Sequence, residues 1–239
     1  MANRPVFISD PNGMTPYKVE HLDFKYYSGF NISQKRKSIE SLHNEYLKKY
    51  PKGNILEISS YSSCPLGVQL SAFNLKVMGK EGRLYSVESI FQSSKVFERG
   101  GPFTDILFKT SLEAKKDERL KSSGNLIGFK FHNVNYPIEP KTFFYNWIYL
   151  NVLNFHPELW EQIITYNAFT DIGFNPQKQY NCQAESVAIF VGLIQRKKFK
   201  ESMKSLENFL HYVYPRDNTY DSKVGRNNKL VEDSLFPDY

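Results

Sequence analysis

Apolar positions recur at helical spacing in several stretches of the chain. In residues 33–50, Ile39, Leu42 and Tyr46 recur every three or four positions, and Pro51 and Gly53 follow them. This pattern predicts an amphipathic helix that ends before the proline. Strongly apolar or amphipathic patterns predict further helices over residues 141–155, 157–168, 184–199 and 200–214, and a shorter helical stretch within 111–125.

Short segments with strand-like patterns lie between these helices. "NILEISSYS" at 54–62 predicts a strand, and residues 66–77 predict a second strand or an irregular extended segment before a turn at 79–83. "LIGFKFHNVNYPIEP" at 126–140 predicts a strand pair, whereas residues 1–31 are rich in Pro, Gly, Asn and Tyr and predict irregular structure. The expected fold is α+β, mainly α-helical, with a few short strands.

The same pattern suggests three regions. Residues 1–53 form an N-terminal extension with a basic amphipathic helix, residues 54–214 form one compact catalytic domain, and residues 215–239 form a polar tail. No apolar run approaches the ~18 residues that a membrane-spanning helix needs. The N-terminus has no apolar signal region, and the two cysteines, Cys64 and Cys182, have no disulfide or metal-site spacing. We therefore expect a cytoplasmic protein with no membrane partner, no metal and no cofactor.

Charge and aromatic content point weakly towards phosphate-containing or nucleotide-like ligands. The formal net charge is +6 and aromatic residues make up 15% of the chain. The helix predicted at 33–50 is itself basic, which fits either a solvated surface or a DNA-contacting face, with the solvated surface favoured. Its basic residues are Lys35, Arg36, Lys37, Lys48 and Lys49.

An apolar stretch at residues 85–98 contains three polar residues at helical spacing. "YSVESIFQSSKVFE" predicts a buried helix on which Glu88, Gln92 and Lys95 share one face. Buried charge is costly unless it is paired or faces a wet pocket, so this polar stripe indicates either a structural ion pair or a site. Gly100 and Gly101 follow, either as a helix cap or as bare backbone that a phosphate can approach.

Two other segments carry polar side chains without periodicity. Asn and Asp in such loops often serve only to cap turns, which explains Asn175 before Pro176 well but the other positions less well. The polar residues are Ser71 and Asn74 in "LSAFNL", and Asp171, Asn175, Asn181 and Gln183 in "FTDIGFNPQKQYNCQA".

Together these segments resemble the NADAR family, which includes the YbiA-type proteins. The resemblance rests on "LSAFNL" at 70–75, "YSVESIFQSSK" at 85–95 and the Ala114–Lys115 pair, and it covers about residues 54–200. "FQSSKVFERGGPF", "FYNWIYL" and "FTDIGFNPQKQYNCQA" look like the NADAR antitoxins that accompany DarT-type toxins. Two positions differ from the broader family: Ser89 stands where His is usual, and "SAFN" replaces "SNF". The C-terminal "WG" element of YbiA-type members is not evident, and its absence argues against the riboflavin-pathway roles of those members.

The resemblance implies an ADP-ribosyl hydrolase with a compact, mainly helical fold. Its substrate would be single-stranded DNA that carries ADP-ribose on guanine, its product ADP-ribose, and its partner a DarT-type DNA ADP-ribosyltransferase toxin. In direct hydrolysis a carboxylate stabilises the positive charge that develops on the ribose or moves protons, whereas a neutral lysine amine can instead attack the anomeric carbon and form a Schiff base; the sequence leaves both routes open. Glu88 and Lys95 are therefore the expected catalytic residues.

The remaining site residues are assigned to parts of the ligand. The pyrophosphate needs donors, which Gly100, Gly101, Lys115 or Arg119 can supply. Ribose hydroxyls and the base edge need amides and carboxylates, and Trp147 or Phe73 can stack on a base. The expected substrate-binding set is Ser71, Asn74, Gln92, Gly100, Gly101, Lys115, Arg119, Trp147, Asp171, Asn175, Asn181 and Gln183.

Two other functions remain open from the sequence. The chain could be an N-glycosidase that acts on a small phosphorylated ribosyl metabolite, although such a substrate needs no basic surface of DNA size. It could also be a non-catalytic antitoxin that binds ADP-ribose or the toxin. Loss of activity in a Glu88 variant separates an enzyme from a binding protein.

Overall fold

The computed structural model describes residues 1–215, so the predicted tail lies outside the described residues from residue 216 onward. The chain divides into two units, of which unit 1 comprises Met1–Ser71 and His156–Val213. Among the described residues, unit 2 comprises Ala72–Phe155 together with Tyr214 and Pro215. The boundary predicted after residue 53 falls inside unit 1, and the three predicted regions stay a prediction.

Helices and short strands alternate along both units, which confirms the α+β class. The strands are β1 (Ala2–Ser9), β2 (Tyr17–Phe24), β3 (Ile55–Glu57), β4 (Lys76–Met78), β5 (Leu84–Ser86), β6 (Lys95–Phe97), β7 (Leu126–Phe131), β8 (Val134–Tyr136) and β9 (Ala168–Thr170). The helices are α1 (Ile32–Lys49), α2 (Pro65–Gln69), α3 (Val87–Ser93), α4 (Ser111–Lys116), α5 (Arg119–Ser122), α6 (Phe143–Asn154), α7 (Pro157–Ile163), α8 (Gln183–Gln195), α9 (Phe199–Ser202) and α10 (Leu206–Val213), with a 3₁₀ turn at Thr104–Phe108.

Unit 1 is built on a four-stranded sheet of order β2-β1-β9-β3. Strand β1 pairs antiparallel with β2 and β9, and β3 pairs parallel with β9. The prediction of irregular structure for residues 1–31 is therefore wrong. Pro5 interrupts the apolar run of β1 and most side chains of β2 are solvent-accessible, so the alternation expected of a strand is weak. Pairing between the two strands decides the structure instead.

The helix predicted at 33–50 is confirmed as α1. Asn31 caps it, because its side chain accepts a hydrogen bond from the Ser33 amide at 3.0 Å. Its buried residues join the core beside Val6 and Ile8 of β1. The apolar stripe of α1 thus covers one face of the sheet, and α8 also packs against β1 and β9.

Several boundaries in unit 1 differ from the prediction. Residues 66–77 do not form one extended segment: Pro65 starts the short helix α2, and strand β4 of unit 2 follows. The helix predicted at 157–168 ends at Ile163, and Ala168 begins β9. The helix predicted at 200–214 is split, because Ser205 accepts from the Asn208 amide and starts α10 separately.

Unit 2 contains the hairpin β4–β5, helix α3 and the three-stranded sheet β6-β7-β8. The predicted strand pair at 126–140 and the helix at 141–155 are confirmed as β7–β8 and α6. Rings from α3, β7 and α6 pack together: Phe129 stacks on Phe144 with centroids 4.4 Å apart, and Phe91 lies 5.5 Å from Phe129. This aromatic core holds α3 in place.

Within residues 1–215, none of the helices combines the length and the apolar character required to cross a membrane.

Candidate functional site

Helix α3 carries Glu88 and Gln92 of the predicted site. Ser86 caps the helix by accepting the Ser89 amide at 3.0 Å, which places Glu88 in the first turn. A carboxylate there is stabilised by the positive end of the helix. The Glu88 amide also donates to the Ala72 carbonyl at 3.0 Å, so the backbone at this position is fixed.

The helix is shorter than the predicted 85–98 segment, which changes the position of Lys95. The hydroxyls of Ser93 and Ser94 both donate to the Ile90 carbonyl, at 3.0 and 2.7 Å. Such local hydrogen bonds compete with the helical ladder and favour its end. Lys95 is therefore the first residue of strand β6, not part of the helix, and it pairs with Phe129 of β7.

Lys95 lies in an environment that favours its neutral form. Burial is the main cause and lowers the pKa of Lys95 to about 8, with the charge of Lys115 contributing in the same direction and that of Glu88 opposing it. Its Nζ lies 4.7 Å from the centre of the Phe91 ring. A lysine with this pKa is a free amine in about one tenth of the molecules at pH 7, far more than a lysine with the ordinary pKa.

Glu88 and Gln92 form a hydrogen-bonded pair beside it. Gln92 Nε2 donates to Glu88 Oε1 at 2.9 Å, and both side chains are buried, with exposures of 6% and 7%. Within the described part of the chain, the buried Gln92 Oε1 has no hydrogen-bond partner. Buried polar atoms are rarely left unsatisfied, so this oxygen is an acceptor available to a ligand hydroxyl or amine.

The two glycines close a tight turn after β6. Phe97 and Gly100 exchange backbone hydrogen bonds of 2.7 and 3.3 Å, so the Gly100 amide already has a partner. Gly101 has a φ of +86°, and a Cβ there would lie 2.4 Å from the Lys95 carbonyl oxygen. The predicted helix cap is wrong, because no helix ends here. Gly101 instead allows its backbone to pack against that of Lys95.

Lys115 and Arg119 have different surroundings. Lys115 is exposed on α4, with Nζ 5.2 Å from the centre of the Phe73 ring, and its charge reaches Lys95. Arg119 donates to both carboxylate oxygens of Asp105 and of Asp117 at 2.6–3.0 Å. These bonds raise the pKa of Arg119 and lower that of Asp117, so the guanidinium is held by protein carboxylates.

The other residues predicted around "LSAFNL" and α6 differ in exposure. Asn74 is exposed, whereas Ser71 is only 2% exposed and its hydroxyl has no partner among residues 1–215. Trp147 is buried on α6 within unit 2. Burial favours core packing over base stacking for Trp147, and Phe73, which is half-buried, is the more accessible ring.

The polar loop of unit 1 follows strand β9. Asp171 Oδ1 accepts from the amides of Gly173 and Phe174 at 2.9 and 3.2 Å, and Asn175 Oδ1 accepts from the Gln177 amide at 3.1 Å. These are turn-forming contacts. Asn181 Oδ1 is buried without a partner in the described chain, and Gln183 is the first residue of α8. Asp171, Asn175 and Asn181 therefore lie along one loop of unit 1 and Gln183 begins the helix that follows it, whereas Glu88, Gln92 and Lys95 belong to unit 2.

A buried network in unit 1 was missed by the sequence analysis. Glu57, 2% exposed, accepts hydrogen bonds from Thr170 Oγ1 at 2.6 Å, Ser59 Oγ at 2.7 Å and the Ile172 amide at 2.8 Å. Burial raises the pKa of Glu57, against the effect of these three bonds. His43 Nε2 lies 2.8 Å from Thr170 Oγ1, and burial lowers the pKa of His43 to about 4. The only sequence signal was a glutamate at the end of an apolar strand.

Acidic, His and Cys residues do not gather elsewhere into a metal-binding arrangement. Among residues 1–215, no group of three or more such side chains is positioned to hold a metal ion. The chemistry available in the assembled site is that of an amine, a carboxylate and a carboxamide.

Comparison with known protein families gives a match over most of the chain. Residues 2–223 match the family model described as the DarT1-associated NADAR antitoxin. No curated protein gives a significant match to the chain. Because the family match covers nearly the whole sequence, this chain belongs to the NADAR antitoxins associated with DarT1.

Proposed function

We propose that this chain is a DNA ADP-ribosyl hydrolase that removes ADP-ribose from guanine and so reverses the modification made by a DarT-type toxin. The observation that carries the proposal is the partly buried Lys95 with a pKa of about 8, next to the Glu88–Gln92 pair. An amine, a carboxylate and an open amide oxygen are groups that together can cleave a ribosyl–nitrogen bond through a covalent intermediate.

Lys95 is the nucleophile in this proposal. Its neutral Nζ attacks the anomeric carbon of the ribose, and the bond from that carbon to the guanine nitrogen breaks. The guanine nitrogen takes up a proton, which the Glu88 carboxylate accepts from Nζ and passes on. Guanine is thereby restored in the DNA, and the ribose is held on Lys95.

Water then releases the sugar. The bond between the anomeric carbon and the ring oxygen breaks, the oxygen is protonated, and an imine forms between that carbon and Nζ. Water adds to the imine carbon, and cleavage of the carbon–Nζ bond returns the free amine and ADP-ribose. One water molecule is consumed for each ADP-ribose, and no oxidant or reductant is needed.

Gln92 has two roles in the proposed mechanism. Its Nε2 orients the Glu88 carboxylate through the 2.9 Å hydrogen bond. Its Oε1, which has no partner within the described residues, accepts a hydrogen bond from a ribose hydroxyl. Lys115 keeps a positive charge near Lys95, which favours the neutral amine, and it is available to the pyrophosphate.

The test is release of ADP-ribose from a single-stranded oligonucleotide that carries one ADP-ribosylated guanine. Wild type, Glu88→Gln and Lys95→Ala are compared by gel shift and mass spectrometry. The proposal expects restored guanine and free ADP-ribose with wild type, and strong loss of both with each variant. Tight binding of ADP-ribose without release by wild type would favour a non-catalytic antitoxin. Release only from small ribosyl metabolites would favour the metabolite glycosidase.

A further inference from the structure

The two ends of helix α1 differ in how their basic side chains are compensated. At the C-terminal end, Lys48 pairs with Glu45 at 2.7 Å, and Lys49 pairs with Glu20. Near the N-terminal end, neither Arg36 nor Lys37 forms an ion pair within the described residues, and the first turn contains no acidic residue. Positive charge close to the positive end of a helix is unfavourable unless an anion is present.

Aromatic side chains contact the neighbouring cation, Lys35. Lys35 Nζ lies 5.3 Å from the centre of the Tyr26 ring and 6.0 Å from that of Tyr61, and it donates to Tyr26 Oη at 2.7 Å. Phe30, directly before the helix cap, is fully exposed. We call this surface the basic aromatic face; it comprises Lys25, Tyr26, Tyr27, Phe30, Lys35, Arg36, Lys37 and Tyr61.

The segment that carries these rings is fixed along α1. The Lys25 amide donates to Ser41 Oγ at 3.2 Å, and the Tyr27 amide donates to Ser38 Oγ at 2.9 Å. Lys25 Nζ lies 5.0 Å from the Tyr27 ring centre. The segment before α1 is therefore held against the helix, and all the residues of the basic aromatic face belong to unit 1.

A cavity of about 440 Å³ opens beside the same helix. Arg36 and His43 of α1 line it together with the apolar side chains of Ile39 and Ile55, and the carboxylates of Glu40 and Glu57 lie in its wall as well. A cavity that offers both apolar side chains and hydrogen-bonding groups can accept a flat heterocycle that carries donors. Bases are available to such a cavity and to exposed rings only in single strands, because in a duplex they are stacked and paired.

We propose that the basic aromatic face binds single-stranded DNA, with Arg36 and Lys37 on the phosphates and Phe30 stacked on a base. Free cations beside aromatic rings are the features that bind single-stranded nucleic acids without sequence preference. The inference rests on the proposed function, because it assigns this face to the strand that carries the modified guanine. It adds a DNA-binding surface in unit 1 to the chemistry assigned to unit 2.

The first test measures binding of an unmodified, fluorescently labelled oligonucleotide by anisotropy at several salt concentrations. The variant Arg36→Gln/Lys37→Gln is compared with Lys48→Gln/Lys49→Gln, which removes the same charge from the other end of the helix. We expect about tenfold weaker binding, with a salt slope reduced by about 1.4, for the first variant, since each phosphate contact in a single strand contributes about 0.7. The second variant should stay within about twofold of wild type. Equal effects of the two variants, or no effect of either, would overturn the proposal.

The stacking contribution is tested by Phe30→Ala, a change at a fully exposed side chain. We expect binding to weaken about fivefold or more with an unchanged salt slope, because base stacking contributes independently of charge. A labelled duplex of equal length should bind wild type more weakly than the single strand. Equal binding of duplex and single strand, together with no effect of Phe30→Ala, would rule out a single-strand site.

A second assay separates this inference from the proposed function. On an ADP-ribosylated oligonucleotide, Arg36→Gln/Lys37→Gln should raise KM with little change in kcat, whereas turnover of an ADP-ribosylated guanosine nucleoside should be unchanged. Loss of turnover on both substrates would assign these residues to the chemistry and contradict the inference. If wild type cleaves neither substrate, the hydrolase proposal fails, and the binding assay on unmodified DNA still decides the role of this face.

Discussion

Two buried glutamates of this protein, Glu57 and Glu88, differ in how many hydrogen bonds their carboxylates accept. In unit 1, Glu57 accepts three hydrogen bonds from Thr170, Ser59 and the Ile172 amide. In unit 2, the Glu88 side chain accepts one, from Gln92, whose own oxygen has no partner in the described chain. A saturated buried carboxylate holds structure together, whereas an under-saturated one beside an amine of lowered pKa is suited to bind and transform a ligand.

The largest effect on catalysis is expected from substitutions of Lys95 and Glu88 in unit 2. Lys95→Ala and Glu88→Gln should each lower the rate of ADP-ribose release at least about a hundredfold, equivalent to about 3 kcal/mol of transition-state stabilisation. Lys116→Ala, at an exposed position of α4, is the control and should keep the wild-type rate. A wild-type rate in either active-site variant would remove that residue from the mechanism.

Substitution of Glu57 in unit 1 should reduce stability and leave the catalytic rate nearly unchanged. Glu57→Ala leaves three buried donors without their acceptor, so it should lower the free energy of unfolding by about 3 kcal/mol. Chemical denaturation followed by circular dichroism measures this change. At a temperature where the variant is folded, its catalytic rate should stay within several-fold of wild type. A stable but inactive Glu57→Ala protein would contradict the structural role of this network.

The pH dependence of the rate tests the state of Lys95. Its pKa is lowered from 10.5 to about 8, and only the neutral amine attacks carbon. The value of kcat/KM, which reports ionisation of the free enzyme, should therefore rise about tenfold per pH unit below this pKa and level off above it. Stopped assays between neutral and alkaline pH measure the profile, with unfolding checked at each pH. A rate that falls with rising pH through this range would exclude a neutral Lys95 nucleophile.

A smaller loss of kcat/KM is expected when Gln92, whose amide oxygen has no partner among the described residues, is replaced. Gln92→Leu removes both the acceptor offered to the ribose and the donor to Glu88, so kcat/KM should fall about tenfold, in line with one or two hydrogen bonds. Gln92→Glu keeps an acceptor but loses the donor, which makes it the matched comparison. If Gln92→Leu retains the wild-type kcat/KM, then the unpartnered oxygen has no part in substrate binding.

The smallest effect on activity is expected for Arg119. Its guanidinium is already bound by Asp105 and Asp117, so Arg119→Ala should lower the melting temperature while changing kcat/KM by no more than about twofold. Lys115→Ala is the comparison, because Lys115 is exposed and should affect KM more strongly. A large rise in KM for Arg119→Ala would instead support the direct pyrophosphate contact expected from the sequence.

Local patterns predicted the parts of the fold that depend on local interactions. Helices α1 and α6 and the β7–β8 hairpin follow from periodicity and turn residues. Strands β1 and β2 were missed because their alternation of apolar and polar side chains is weak. Strand β9 was missed because its pairing joins distant parts of the chain, such as Phe7 with Phe169. No pattern within a short window specifies such partners.

The geometry of the candidate residues could be predicted only where it depends on local spacing. The shared position of Glu88 and Gln92 on one helix face follows from their helical spacing. The position of Lys95 on a strand was missed, since the serine hydroxyls that end α3 compete with an otherwise helical pattern. The Glu57 network was missed because Thr170 lies far away in sequence and enters only through the β3–β9 pairing.

The central claim is that Lys95 of unit 2 forms the covalent intermediate. The most direct measurement adds sodium borohydride to wild-type protein during turnover of an ADP-ribosylated single-stranded oligonucleotide, and then maps the modified peptide by mass spectrometry. Our account predicts that reduction of the imine fixes ADP-ribose to Lys95 as a secondary amine, and that Lys95→Ala shows neither adduct nor turnover. Rapid release of ADP-ribose with no adduct at Lys95, and an undiminished rate in Lys95→Ala, would contradict it.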